Sequence, residues 1–188
     1  SMESVELLKK YKQSNDLVTA EVTPHHIYYN DSYLSTFNTN FKVAPPIRAE
    51  EHRKALINGI KDGLIDCVAT DHAPHNIEEK ENDFIHASCG MIGLETSFSS
   101  SYTALSKEGI SVEKIISLFT SGPCKVMNFE KEFLSKGSNA EFVVIDLKAK
   151  WKVVKQDFKS KSSNSAFLGE ELNSKVIHTI SGKHCFSN

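Results

Sequence analysis

Residues 64–71, LIDCVATD, limit what this chain can fold into more than any other stretch. The run is mostly apolar and lacks the alternation of a half-exposed strand, which is the pattern of a parallel strand covered on both faces. It follows directly on a helical pattern. Glu50 and Glu51 suit a helix N-terminus, His52, Leu56 and Ile60 recur at i+4, and Gly63 suits the position just past the last turn. A helix feeding a buried strand is the unit from which parallel α/β sheets are built. The carboxyl end of this strand delivers Asp71, and in α/β barrels that end faces the active site.

Upstream, residues 2–12 place Val5, Leu8 and Lys12 on one face and space Glu6 and Lys10 as an i,i+4 pair, which predicts a surface helix. Residues 17–22 predict a strand that Thr23-Pro24 stops, since proline cannot donate to a ladder; His25 and His26 fall just past its end. The polar residues 30–40 and Pro45-Pro46 predict a long loop. Downstream of Asp71, a polar stretch at 76–83 and the glycines 90 and 93 lead into a third helix, 94–107, which takes in the serine cluster 97–101. Ser111 caps a fourth helix burying Val112, Ile115, Ile116 and Phe119, and Pro123 suits the first turn of a short fifth. After Phe129 the chain changes to short β-rich stretches at 141–145, 151–155, 175–180 and 184–186, a separate β layer.

This order predicts an α/β fold, the last βα units of a (β/α)8 barrel in residues 1–132 followed by a small, sandwich-type β domain in 133–188. With 188 residues the chain is shorter than the roughly 250 of a complete barrel, and two or three βα units cannot close one. The barrel is therefore expected to be incomplete here and the chain to be part of a larger protein. A formal net charge of −2 gives no electrostatic reason for nucleic acid or an anionic membrane as partner. No apolar run approaches the ~20 residues that cross a bilayer, and residues 1–13 lack the apolar core of a secretory signal. Cys67, Cys89, Cys124 and Cys185 form no CxxC pair, so neither a disulfide framework nor a zinc knuckle is expected, and a reducing cytoplasmic setting fits.

The chemistry concentrates in residues 69–75, ATDHAPH. A carboxylate at Asp71 can ligate a metal, accept a proton or do both, or simply cap the next loop, and position alone leaves these open. His72 and His75 make an HxxH pattern in a proline-containing turn, unlike the helix-borne pair of zinc proteases, and the bare pattern is unspecific.

Together with residues 18–26 (VTAEVTPHH), 42–48 (KVAPPIR), 69–80 (ATDHAPHNIEEK), 90–96 (GMIGLET), 137–146 (GSNAEFVVID) and 167–169 (FLG), this motif resembles the dihydroorotases of the amidohydrolase superfamily, in their longer-chain class I branch. These stretches run in family order across nearly the whole chain, and ATDHAPH is the specific one. The resemblance implies a zinc-dependent cyclic amide hydrolase, with one or two zinc ions, interconverting dihydroorotate and N-carbamoyl-L-aspartate in pyrimidine synthesis. It implies that Asp71 ligates zinc, takes a proton from the metal-bound hydroxide and passes it to the leaving nitrogen. It also sets His75 on the substrate carboxylate and the Cys89-Gly90 backbone against the ring. A homodimer and a complex with aspartate carbamoyltransferase are compatible with the family.

Two departures matter. The family's HxH, its bridging carboxylate and two further histidines have no counterpart in this chain, so most zinc ligands are expected upstream and the isolated chain is expected to be inactive. Ala44 stands where class I members usually carry an asparagine that contacts substrate, so either the backbone makes that contact or specificity differs. Gly122-Pro123 for Asn-Pro and Glu141 for Asp are smaller deviations. His25 and His26 are not ligands in the family and read as structural. Arg48 binds an anion or pairs with Glu50 or Glu51, and His52, His86, His178 and His184 read as solvent-facing or loop histidines. Cys89 reads as a packing residue with no base beside it. A non-catalytic homologue partnering aspartate carbamoyltransferase is one alternative reading, and a dihydropyrimidinase- or allantoinase-type enzyme is the other. Retention of Asp71 and His75 argues against the first.

Overall fold

A computed structural model describes residues 1–15, 17–129 and 134–187. Helix α1, Met2–Lys12, has the predicted bounds, and the Ser1 hydroxyl accepts from the Ser4 amide at its start. The chain then enters β1, Glu21–Val22, and turns into the short helix α2, Pro24–Tyr28, with proline at its start and the Thr23 hydroxyl as cap. The polar stretch expected as a loop contains two 3-10 turns, Asp31–Thr36 and Thr39–Phe41, each opened by an asparagine side chain.

Helix α3, Glu50–Lys61, ends as its sequence predicts. Gly63 adopts φ +73°, its amide bonds to Ile60 O, and the Leu64 amide reaches Gly59 O at 2.8 Å. This pair of bonds is a Schellman closure, which turns the chain sharply into β2, Cys67–Val68. Strands β1 and β2 pair in parallel, Glu21 with Cys67 and Val22 with Val68. Both are shorter than predicted. Regular pairing is confined to these two positions, although single bonds from Asp66 N to Ala20 O and Ala69 N to Val22 O prolong the contact.

Helices α4, Ile77–Lys80, α5, Ser97–Lys107, α6, Val112–Ser117, and α7, Ser121–Val126, follow. Ser111 caps α6 as expected, its hydroxyl accepting from Lys114 N. Three strands complete the chain as an antiparallel sheet, β3 (Glu141–Lys152), β4 (Glu171–Ser181) and β5 (His184–Ser187), in that order. The expected strands at 141–145 and 151–155 are one long strand, interrupted by register shifts between Val144 and Ile145 and between Asp146 and Lys150. A bulge leaves a residue unpaired without ending the strand, so the polar segment between the apolar runs continues it.

Two apolar clusters hold these elements. The first joins Val22, Ile27, Ile57, Ile60, Ile65, Val68, Leu105 and Ile115 around the parallel strands. Each such side chain, once buried, contributes about 1.5–3 kcal/mol before chain entropy is counted. The second gathers Tyr29, Phe41, Val43, Ile47 and Met91 with Val153, Phe167 and Leu172, so residues from both ends of the chain share it. The expected boundary at 132/133 lies outside the described residues. His52 corrects the reading of a solvent-facing histidine: it is buried on the α3 face that its i+4 spacing defines, and its Nδ1 accepts from Met2 N at 3.0 Å. His178 is likewise half-buried in β4, bonded to Ser187, whereas His86 and His184 are exposed.

Candidate functional site

Asp71 stands three residues past the end of β2. At φ +50° it occupies the left-handed region, uncommon for a residue with a side chain though better tolerated by aspartate than by most. Beside it Gly93 passes so close that a Cβ would lie 3.2 Å from Thr70 O. Directly after Asp71, His72 bridges to Met91 in parallel and Ala73 N bonds to Met91 O. The Asp71 side chain is exposed, and its charge favours the protonated form of His26. Burial acts more strongly on His26 in the other direction, so its pKa is lowered.

His26 is fully engaged, Nδ1 with the Thr23 hydroxyl at 2.6 Å and Nε2 with Pro45 O at 3.0 Å. Ala44, exposed, immediately precedes that proline. Its neighbour His25 differs: it is 1% exposed, its Nε2 has no hydrogen-bond partner, and burial pushes its pKa down to about 3. His25 is thus a neutral, enclosed imidazole, as a structural role requires.

The two histidines of the HxxH pattern do not converge on a common point. His72 Nδ1 accepts from the Gly93 and Leu94 amides at 3.1 and 3.4 Å, which leaves the ring proton on Nε2. His75 is held from both sides, Nδ1 3.0 Å from the Glu79 carboxylate and Nε2 2.9 Å from Cys89 O. Gly90 lies against this ring with φ +133°; a Cβ there would be 2.7 Å from that of Ala73 and 2.9 Å from His75 Nε2, so a larger residue cannot occupy the position. Gly90 N bonds to Lys42 O at 2.8 Å, which ties the Cys89-Gly90 segment to the strand of chain carrying Ala44. Cys89 is exposed, correcting the expectation of a packing residue.

A cavity of about 820 Å³ opens beside His75, lined also by Phe37, Asn38, Lys80, Lys161 and Asn164. Asp71, Ala44, Cys89 and Gly90 are not among its lining residues. A smaller one, about 220 Å³, has His26, Pro45, Arg48 and Arg53 in its wall. Arg48 is exposed, and of its two expected roles the ion pair with Glu50 or Glu51 does not form among the described residues. Glu50 instead binds Arg53 at 2.7 Å, which holds its carboxyl down at about 2.

Three residues at this site have roles that the sequence does not assign, although Lys42 and Lys80 lie within the stretches 42–48 and 69–80 that carry the resemblance. Lys80, 6% exposed, sends its ammonium to Thr39 O, Ser88 O and Gly90 O at 2.7, 2.8 and 3.0 Å. Lys42 Nζ reaches Ile85 O and Ala87 O, both at 2.7 Å. Asn164, also buried, donates to Ala73 O and Gly90 O and accepts from the His75 amide. A lysine or asparagine in a polar stretch reads as solvated, and nothing in its neighbours marks it as buried.

Tight zinc sites use three or four protein groups. Among the described residues no three His, Cys, Asp or Glu side chains gather to hold a metal ion. The imidazoles His26, His72 and His75 direct ring nitrogens at protein atoms. The described residues therefore do not by themselves make a zinc site. None of their helices is long and apolar enough to cross a membrane.

Comparison with known proteins gives this geometry a context. A dihydroorotase of Caldicellulosiruptor saccharolyticus is 45% identical over 179 residues, covering 95% of this chain and 42% of the relative. One of Elusimicrobium minutum is 40% identical over 181 residues, with coverages of 96% and 42%. Among solved structures, the L-hydantoinase (dihydropyrimidinase) of Arthrobacter aurescens superposes with a TM-score of 0.89 at 27% identity, over 100% of this chain and 43% of that one. The chain thus spans about two fifths of the length of the curated relatives it matches. The amidohydrolase family model matches residues 1–182, nearly the whole sequence, and the chain belongs to the amidohydrolase family.

Proposed function

We propose that this chain is the carboxyl-terminal part of a dihydroorotase, a cyclic amide hydrolase interconverting dihydroorotate and N-carbamoyl-L-aspartate. The observation that carries the reading is the 45% identity to a protein named dihydroorotase over 95% of the chain. In this reading residues 1–132 are the last βα units of a barrel and 133–188 a small β domain, with Asp71 on the barrel's active face.

Hydrolysis adds water across the ring amide: the oxygen joins the carbonyl carbon, the C–N bond breaks, and the nitrogen leaves with a proton. Asp71, exposed just past the end of β2, takes the proton from the attacking water and returns it to that nitrogen. His75 binds the substrate carboxylate. Its present partner, the half-exposed Glu79, is itself a carboxylate, so the substrate group replaces like with like. Ala44 contributes backbone and no side-chain hydrogen bond, and the Cys89-Gly90 backbone lies against the ring. Zinc, one or two ions, belongs to the whole protein in this reading; it would supply acidified water, with Asp71 the single ligand from the described residues. A cytoplasmic location, a homodimer and a complex with aspartate carbamoyltransferase complete the proposal, the last two testable by sedimentation.

The experiment is Asp71→Asn in the full-length protein, assayed with N-carbamoyl-L-aspartate and, separately, with hydantoin. Turnover of the first substrate should fall by ~10² to 10⁴ with the fold retained, the usual worth of a general base. Unchanged turnover removes Asp71 from the mechanism, and a wild-type preference for hydantoin overturns the substrate assignment.

A further inference from the structure

The Lys80 ammonium is buried, and among the described residues no carboxylate lies within salt-bridge distance of it. An ammonium removed from water must be compensated, and here three backbone carbonyls do so, at 2.7 Å (Thr39), 2.8 Å (Ser88) and 3.0 Å (Gly90). Burial accordingly lowers its pKa. A methionine would fill the same volume without that penalty, so the charge calls for a reason beyond packing.

The reason lies in peptide geometry. In a trans peptide the carbonyl and the N–H of the next residue point in opposite directions. Ser88 O is drawn inward to Lys80, so the Cys89 N–H, on the same peptide plane, is turned outward. Cys89 is exposed, and its N–H makes no hydrogen bond within the described residues. The next peptide is fixed from both sides, Cys89 O by His75 Nε2 and Gly90 N by Lys42 O. Gly90 O is shared by Lys80 and Asn164. One outward donor therefore remains on a segment whose other polar backbone groups are all tied down.

We propose that Lys80 is a positioning residue that aims the Cys89 N–H at an oxygen of the bound substrate. The inference rests on the dihydroorotase reading for the identity of that substrate, a cyclic imide bearing a carboxylate, or its ring-opened form. It rests on that reading also for the place of the substrate against the Cys89-Gly90 backbone, but not for the orientation of the peptide.

The test compares Lys80→Met and Lys80→Arg with wild type in the full-length protein, by steady-state kinetics with N-carbamoyl-L-aspartate and by amide hydrogen exchange. Lys80→Met should raise KM tenfold or more while kcat stays within about threefold, and should speed exchange in residues 84–91 alone. Lys80→Arg keeps the charge, but its planar fork cannot meet three converging carbonyls, so KM should rise by a smaller factor. If Lys80→Met fails to fold, the arginine variant decides alone. Wild-type KM and exchange in both folded variants overturn the proposal, as does a loss of kcat with exchange raised throughout the protein. Absence of turnover in the wild type refutes the dihydroorotase reading instead, and exchange in 84–91 then judges the role of Lys80 by itself.

Discussion

His75 Nδ1 and the Glu79 carboxylate meet at 3.0 Å across one turn of chain, and the same carboxylate accepts from the Asn76 amide at 3.1 Å. Glu79 thus closes the start of α4 and orients the imidazole with one side chain. Contact with His75 is the main reason its carboxyl titrates below the usual carboxylate range.

Glu79→Gln separates these two tasks, because glutamine serves in a capping box as glutamate does. Helix α4 should persist while His75 loses a charged partner. In the full-length protein, KM for N-carbamoyl-L-aspartate should change by no more than about fivefold, the range of an exposed ion pair. His75→Ala should raise it by about tenfold or more, the worth of a hydrogen bond to a charged group. Steady-state kinetics on the pair checks this; equal KM values in both variants would mean that His75 acts only through Glu79.

His25 sets an acid limit on stability. Its folded pKa, about 3, lies below the ordinary histidine value of 6.5 because burial disfavours the imidazolium. The unfolded chain binds that proton first, so the stabilisation is complete above pH 6.5 and is lost as pH falls from there toward 3. Over that window stability should drop by up to about 1.4 kcal/mol per pH unit from this group. His26, also lowered by burial, adds in the same direction. The lowered carboxyls, Glu50 among them, act only below about pH 4.5, so in denaturant titrations between pH 5 and 7 the difference between wild type and a His25 variant isolates the share of His25. The slope should flatten by about one proton in His25→Gln, and an unchanged slope would show that His25 is not enclosed.

Elements defined by local chemistry are legible in this sequence, and those defined by distant partners are not. The bounds of α1 and the closure of α3 follow from spacing, caps and Gly63, all within a few residues of one another. The strands at β1 and β2 are marked by their apolar runs, yet their length depends on pairing across more than forty positions, Glu21 with Cys67. The same division runs through the site. Asp71, His75 and Lys80 all stand in the stretch 69–80, yet Lys80, like Asn164, acts on backbone carbonyls, which every residue carries, so no pattern reveals what it does. The left-handed φ of Asp71 is invisible for the same reason, since it stands beside Thr70, whose carbonyl Gly93 approaches from twenty-odd residues away.

Gly122, where the family pattern has asparagine, should accept no side chain at all. A Cβ there would strike the Asp66 carbonyl oxygen and lie 2.9 Å from Ser117 O, both rigid backbone. Overpacking of this kind costs about 1–3 kcal/mol, more where neighbours cannot yield, so Gly122→Ala should lower the unfolding free energy by about that much. Denaturant titration of the full-length protein measures it. A loss below about half a kcal/mol would show that α7 moves freely relative to Asp66.

The chain of residues 1–188 by itself should bind no stoichiometric catalytic zinc and show no dihydroorotase turnover. Asp71 is the one expected ligand it carries, and no group of three metal-binding side chains forms among its described residues. His26 and His75 each have both ring nitrogens committed, and His72 has one. His25 Nε2 is unpartnered but enclosed. Among the described residues β1 and β2 pair with no third strand, although Val68 N bonds to Leu118 O, so the isolated chain should be marginally stable or associate through the open edges. Purifying it and measuring zinc content alongside the rate of dihydroorotate formation decides the matter. Turnover with bound zinc would mean that the segment recruits ligands of its own, through rearrangement of His25, His26 or His72, and histidine-to-alanine variants would identify which.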